Sequence, residues 1–183
     1  MLIKKGSLLI AEPTGLSDLN FNRSVILLVE HNKSGSVGFI LNKKLNYSTK
    51  DLIPDLKYKF PIYNGGPVEC QNLYFIHNQP NLIPNSLKIK KEIYWGGDFS
   101  VVLELINSKK IKLGEIKFFL GYSGWDKNQL ENEITLSSWV VEKEKGNVNL
   151  FLKSCDNIWK KKLLELGGRY LIWSNSPENP SNN

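Results

Sequence analysis

Three observations predict a single domain of mixed strand and helix. Short apolar or β-branched runs crowd the N-terminal third, the second and third of these runs lie too close for a crossover helix, and later segments carry apolar residues at helical spacing behind capping residues. The length agrees: 183 residues, 41% hydrophobic and 23% charged, supply one ordinary core and no independent second one. Residues 1–174 form the expected domain, and 175–183, rich in Pro, Asn and Ser, a loosely held polar tail.

In chain order, 8–11, 24–30 and 36–41 read as strands punctuated by Pro13, Gly15, Asn32 and Gly35. The second and third should pair as a hairpin whose loop contains Asn32, Lys33 and Ser34. Ser48 with Asp51 predicts a short capped helix ended by Pro54. Strands are expected again at 60–63, 73–77 and 87–94, with loops at 65–67 and 78–84. Asp98 caps a helix with Phe99, Val102, Leu103 and Ile106 on one stripe. A strand at 116–120 should then enter a turn, Gly121-Tyr122-Ser123-Gly124-Trp125, followed by a helix capped by Asp126 with Gln129 at the capping-box position. Residues 139–142 and 148–152 read as a hairpin around Gly146. Asp156 caps a last helix that buries Trp159, Leu163 and Leu166 and ends at Gly167, and 170–173 reads as a final strand.

Composition excludes several classes. The apolar stretch after Lys4 and Lys5 stops at Glu12-Pro13, too short for a signal-peptide core, and no run approaches the roughly 20 residues that span a bilayer. A cytoplasmic protein with no membrane association is expected. Cys70 and Cys155 stand far apart without a CxxC pair, so both are read as plain thiols. The net charge of +6 comes from lysine, since only Arg23 and Arg169 are arginines. Scattered lysine gives solubility and weak, salt-sensitive phosphate attraction rather than base reading, so direct nucleic-acid binding is possible but not favoured.

A set of short segments runs along the chain in a fixed order: the run from Gly6 through Pro13, Asp18, the segment Phe21-Asn22-Arg23-Ser24-Val25, Glu30-His31 and Gly38-Phe39-Ile40-Leu41-Asn42. It continues through Gly65-Gly66-Pro67-Val68, His77, residues 121–125, Gln129-Leu130-Glu131, Glu133 and Trp139. In these segments, in family order over most of its length, the chain resembles the YqgE/AlgH family of bacterial proteins. The C-terminal stretch, Leu166 through Tyr170 and Asn175-Ser176-Pro177, is similar to Bacteroidetes-type members. The resemblance implies an α+β fold with a bent, partly barrel-like β-sheet flanked by helices. It also implies an association with transcriptional regulation through one member, and it carries no activity with it.

Weighed for chemistry, Ser123 follows glycine after a strand as in a nucleophile elbow. However, Gly124 comes directly after it and Trp125 stands where that motif needs glycine. Family members often have alanine at this place, so a structural turn is expected there in preference to a nucleophile. Amides of residues 123–126 at a helix N-terminus offer a weaker possibility, an anion nest. His31 and His77 stand at strand ends, and hydrogen-bonded structural roles are preferred over a general base. No His-x-x-x-His, Cys-x-x-Cys, P-loop or Gly-x-Gly-x-x-Gly pattern occurs, so no metal, cofactor or nucleotide is expected. Gly65-Gly66-Pro67 reads as a tight turn with one glycine at positive φ, cross-braced by Asn42 and Arg23.

What remains is an aromatic supply of five tryptophans and seven tyrosines, several beside glycines, which suits a shallow docking cleft. The expected function is a cytosolic regulatory or interaction protein, in preference to an enzyme. Its partner, a protein or peptide, should sit in a cleft built from His31, Asn42, Gly65, Gly66, Pro67, Tyr122, Ser123, Gly124 and Trp125. The alternative is a hydrolase-like small-molecule enzyme using the same surface, and the third reading is weak nucleic-acid binding through lysines.

Overall fold

Strand β9 (Ile116–Asp126) organises the domain because both of its edges are used. In the computed structural model, which describes residues 3–13, 18–142, 150–151 and 157–175, β9 is the longest strand. Along its first half it lies between β5 (Pro61–Asn64), its one parallel neighbour, and β6 (Val68–His77). Beyond Tyr122 it pairs with β3 (Gly35–Ile40) alone.

The N-terminal apolar runs give β1 (Leu8–Ala11) and β2 (Val25–Asn32), and β2 turns through a tight hairpin into β3. One outer edge is β10 (Trp139–Val141) on β1; the other is the hairpin of β7 (Leu87–Lys90) and β8 (Ile93–Trp95), laid on β6. Strand β4 (Lys44–Ser48) hangs on β5, completing, among the described residues, ten strands in one mostly antiparallel sheet. The sheet bends until Lys90 Nζ of β7 donates to Gly6 O, 3.3 Å away, just ahead of β1. Among the described residues no ladder joins these edges, so the barrel-like curl stays open.

Helices close the faces in an α+β arrangement. Ser48 caps α1 (Thr49–Leu52), with Asp51 Oδ2 accepting both the Ser48 amide and hydroxyl, and Asp98 Oδ1 accepts the Ser100 amide to start α2 (Phe99–Asn107). On α2, Val102, Leu105 and Ile106 are buried over Phe75 and Phe118, and Phe99 and Leu103 pack at the margin. α3 (Gln129–Thr135) follows β9, and α4 (Ile158–Leu166) covers β1, where Trp159 Nε1 donates to Ala11 O at 2.8 Å. No helix among the described residues is long and apolar enough to cross a membrane.

Residues 25–29 are buried on both faces, between the α3 and α4 side and the curled half of the sheet, which is why that run reads as continuously apolar rather than alternating. A fully buried aliphatic side chain of this kind contributes about 1.5–3 kcal/mol.

Five expectations are corrected. Leu166, expected to be buried with Trp159 and Leu163, is 38% exposed at the last turn of α4. The strand expected at 87–94 is two strands, because Glu92 takes φ of 59° and turns the chain without a glycine. Residues 170–173 belong to a helix, α5 (Tyr170–Ser174), since four apolar residues fit either period and Gly167 and Gly168 at positive φ redirect the chain. Residues 121–125 continue β9 instead of turning. The cap of α3 is Asn128 at φ of 64°, not Asp126, although Gln129 Oε1 does reach back to the Asp126 amide at 2.9 Å. The expected hairpin at 139–152 and the Asp156 cap fall largely outside the described residues, as does the tail; Leu150 and Phe151 are buried.

Candidate functional site

The site begins with the glycines. Gly121 takes φ of 69° inside β9 where Gly65 and Gly66 cross it, opposite the irregular stretch of β6 between Val68 and Leu73. A Cβ on Gly65 would stand 2.1 Å from Gly121 O, and one on Gly66 2.3 Å from the Tyr122 carbonyl. The crossing is held by bonds from the Gly65 amide to Leu120 O (2.8 Å), and to Gly65 O from the Ile40 amide and Ser123 Oγ (3.0 Å each). Gly65-Gly66-Pro67 is therefore a seam where β5 hands its place beside β9 to β3. Asn42 and Arg23 do not brace it, because Asn42 binds Arg23 O and the Val25 amide, tying β2 to the end of β3.

Beyond the seam, strand alternation sorts side chains to two faces. Ser123 and Trp125 point to the buried face, and Tyr122, Gly124 and Asp126 to the other. Ser123 is completely buried with its Oγ donating to Gly65 O, and residues 123–126 continue β9 as strand instead of forming the helix N-terminus on which the anion nest depends. Trp125 Nε1 donates to Glu133 Oε2 of α3 at 2.9 Å, and the same oxygen accepts Trp139 Nε1 at 2.7 Å. His31 shares this side, bonded to Ser36 Oγ at 2.8 Å and lying 3.8 Å from Glu131 Oε1.

The opposite face carries an open cleft of about 390 Å3 between the β2–β3 hairpin tip and the start of β6. A rung of Glu30, Val37 and Gly124 crosses its floor, beside the paired Val68 and Tyr122. Asn32, Trp125 and Asp126 also border it. With only hydrogen at Gly124, the floor dips and the Tyr122 ring packs close to it; a Cβ there would be 3.3 Å from that ring. Its charged lining residues are Glu30 and Asp126, both acidic in a chain of net charge +6.

Of the nine residues proposed from sequence, Tyr122, Gly124 and Trp125 line this cleft. Gly65, Gly66 and Pro67 form the seam leading into Val68, Ser123 and His31 serve the other face, and Asn42 lies at the far end of β3. Sequence reasoning missed Glu30, Val37 and Val68. The signal was present in the hairpin's alternation, but β2 bulges between Leu28 and Glu30, which shifts the register on which that alternation depends. Among the described residues, no group of three or more His, Cys, Asp or Glu side chains gathers as a metal site requires.

His77 is fully buried in the other half of the sheet, its Nε2 bonded to Gly96 O (3.1 Å) and its Nδ1 accepting the Gln79 amide (3.1 Å). This pattern fits the neutral ring. Burial lowers its pKa, opposed by the Gly96 carbonyl. Below about pH 6.5 the unfolded chain binds a proton that the folded protein refuses, so stability falls with pH until the lowered value is passed. The slope contributed is at most about 1.4 kcal/mol per pH unit. Urea denaturation from pH 7.5 to 5 should show a steeper loss in wild type than in His77→Gln; equal slopes would exclude this role.

Comparison with known proteins agrees with the architecture. The profile of the AlgH-like family matches residues 8–171, nearly the whole domain. The chain belongs to the AlgH-like family. Within it, the UPF0301 protein of Cytophaga hutchinsonii is 38% identical over 98% of both chains, and that of Bacteroides fragilis 40% identical over 98% of this chain and 91% of the other. The solution structure of AlgH from Pseudomonas aeruginosa superposes with a TM-score of 0.70 at 25% identity, covering 96% of this chain and 95% of that one. The crystal structure of a Corynebacterium diphtheriae protein reaches 0.73 at 20% identity, covering 96% and 94%, and shares the fold. The AlgH-like match spans the elements that build the seam and the cleft, β2, β3, β6 and β9.

Proposed function

We propose that this AlgH-like protein is a cytosolic regulatory or interaction protein that docks a partner protein or peptide in the cleft between the β2–β3 hairpin tip and β9. The observation that carries the reading is the cleft's composition: an apolar and glycine floor of Val37, Val68, Tyr122 and Gly124 with a polar border of Glu30, Asn32 and Asp126. An aromatic anchor in a shallow apolar depression with a polar rim is the surface that binds proteins. A small-molecule enzyme would need converging reactive groups there, and the nearby Ser123 and His31 are committed to Gly65 O and Ser36 on the other face. The regulatory part of the reading rests on the family association.

The test is a photo-crosslinking side chain at Ser34, an exposed residue on the cleft border, with a control at Leu136, which is 76% exposed and beyond α3. Expressed in a bacterial host of the same group, the Ser34 probe should capture a defined protein that the Leu136 probe does not. Adding Gly124→Leu, which fills the floor, should abolish that capture in a protein of wild-type fold. Capture that ignores Gly124→Leu, or identical products from both positions, would refute cleft docking.

A further inference from the structure

Beyond Tyr122, β9 keeps a ladder on one side only. Its first half is flanked by β5 and β6, but residues 123–126 pair with β3, and among the described residues no strand lies on their outer edge. The place is vacated by β6, whose last partner on β9 in this direction is Val68 opposite Tyr122. From Val68 the chain leaves through Pro67 to the seam.

The backbone groups on that edge can be assigned. The Asp126 amide donates to Gln129 Oε1, so it points away from β3. In an antiparallel pair, successive residues alternate between facing the partner strand and facing outward. Gly124 therefore turns its N–H and C=O to the same outer side as Asp126, into the cleft that both residues line. Having no side chain, Gly124 lets another backbone come close. A short exposed edge beside an apolar floor is the geometry that accepts an extended peptide as an added strand, with affinity from main-chain bonds and selectivity from the side chains that alternate along it.

Charge decides which peptide. Glu30 and Asp126 are the charged residues lining the cleft, with no Lys or Arg among them, although the chain carries 24 basic residues against 18 acidic ones. Resting on the docking reading above, we propose that the partner segment is an extended, lysine- or arginine-bearing peptide that adds to the outer edge of residues 123–126, bonding to the Gly124 backbone and meeting the Asp126 and Glu30 carboxylates.

The experiment titrates isotopically labelled full-length protein with a pool of capped octapeptides carrying Lys at alternate positions and mixed Val, Thr and Tyr between them. Parallel titrations use the same pool with Glu in place of Lys, and Lys pools N-methylated on one or the other set of alternate residues. The Lys pool should shift the Gly124 amide resonance and slow its exchange by about tenfold or more, and the Glu pool should do neither. N-methylation in one of the two registers should abolish binding, because it removes the donors facing β9. Asp126→Lys, an exposed substitution, should weaken the Lys pool by about tenfold and leave the fold unchanged. The proposal is overturned if the Lys pool does not bind, if the Glu pool binds as well, or if neither N-methylated register matters. Should peptides fail while the Ser34 probe still captures a protein sensitive to Gly124→Leu, strand addition falls and cleft docking stands.

Discussion

Gly66→Ala lowers folding stability by about 3 kcal/mol or more, and Gly65→Ala by a similar amount. The reasons differ at the two positions. Gly66 has φ of 148°, which an L side chain rarely adopts, and its Cβ would lie 2.3 Å from the Tyr122 carbonyl carbon and oxygen and 2.4 Å from the Ser123 nitrogen. At Gly65 the conformation is ordinary, yet a Cβ would lie 2.1 Å from Gly121 O and 3.0 Å from Phe119 Cβ. In both cases the obstacle is the backbone of β9, which is held by neighbours on both sides here and cannot withdraw. Gly96→Ala provides the control. It has φ of 65° but nothing within 4 Å of an added Cβ, so it carries only the conformational cost, about 1–2 kcal/mol. Denaturant midpoints of the three variants decide the matter: a Gly66→Ala loss no larger than that of Gly96→Ala would mean the seam is not tight. The effect matters for the cleft because the seam fixes where β6 departs from β9 and so how much of the β9 edge stays open.

The same seam shows where sequence reasoning succeeded and where it stopped. Positive φ at one glycine of Gly65-Gly66-Pro67 follows from residue type and is observed at Gly66, but a strand crossing against Gly121 is a contact 55 residues distant that no local rule supplies. Glycines 121 and 124 suggest a turn because glycine commonly marks one. Here Gly121 takes its positive φ inside a long strand and Gly124 clears that strand's surface, roles that depend on neighbouring strands. The α+β class and its bent sheet were legible from the resemblance, and most strands, the α2 cap and the Trp159 and Leu163 burial from pattern alone. Strand β4 was not, since its Lys-Leu-Asn-Tyr-Ser sequence has little apolar alternation and pairs only with β5. Of the expected cleft, Tyr122, Gly124 and Trp125 of β9 do line the observed depression, whereas strand-end position alone points to His31 and Asn42. The alternation of a bulged hairpin turned one to the other face, and Asn42 bonds to β2 instead.

Glu133→Ala costs about 3 kcal/mol and loosens the wall of the cleft. Glu133 Oε2 accepts both buried indole N–H groups, of Trp125 and Trp139, while Oε1 accepts Gln129 Nε2 at 2.9 Å. The two indoles meet edge to face at 5.9 Å, and Phe21 packs against both. Alanine strands two donors that are 95% or more enclosed with their rings, and each unsatisfied buried donor costs about 1–3 kcal/mol. Glu133→Gln separates this from charge and packing. Its amide oxygen can still take both indole protons, but its NH2 then opposes the Gln129 NH2, so one bond is lost and the expected cost is about 1 kcal/mol. Since Gln129 Oε1 holds the outward-facing Asp126 amide, the Ala variant also frees the end of β9. Urea denaturation should rank wild type above Gln and Gln above Ala, and indole N–H exchange should accelerate strongly only in Ala. If Ala and Gln lose equal stability, the shared acceptor is not what holds α3 to β9. The expected ranking would establish that one carboxylate on a seven-residue helix fixes both Trp125 at the cleft border and the edge that runs past it.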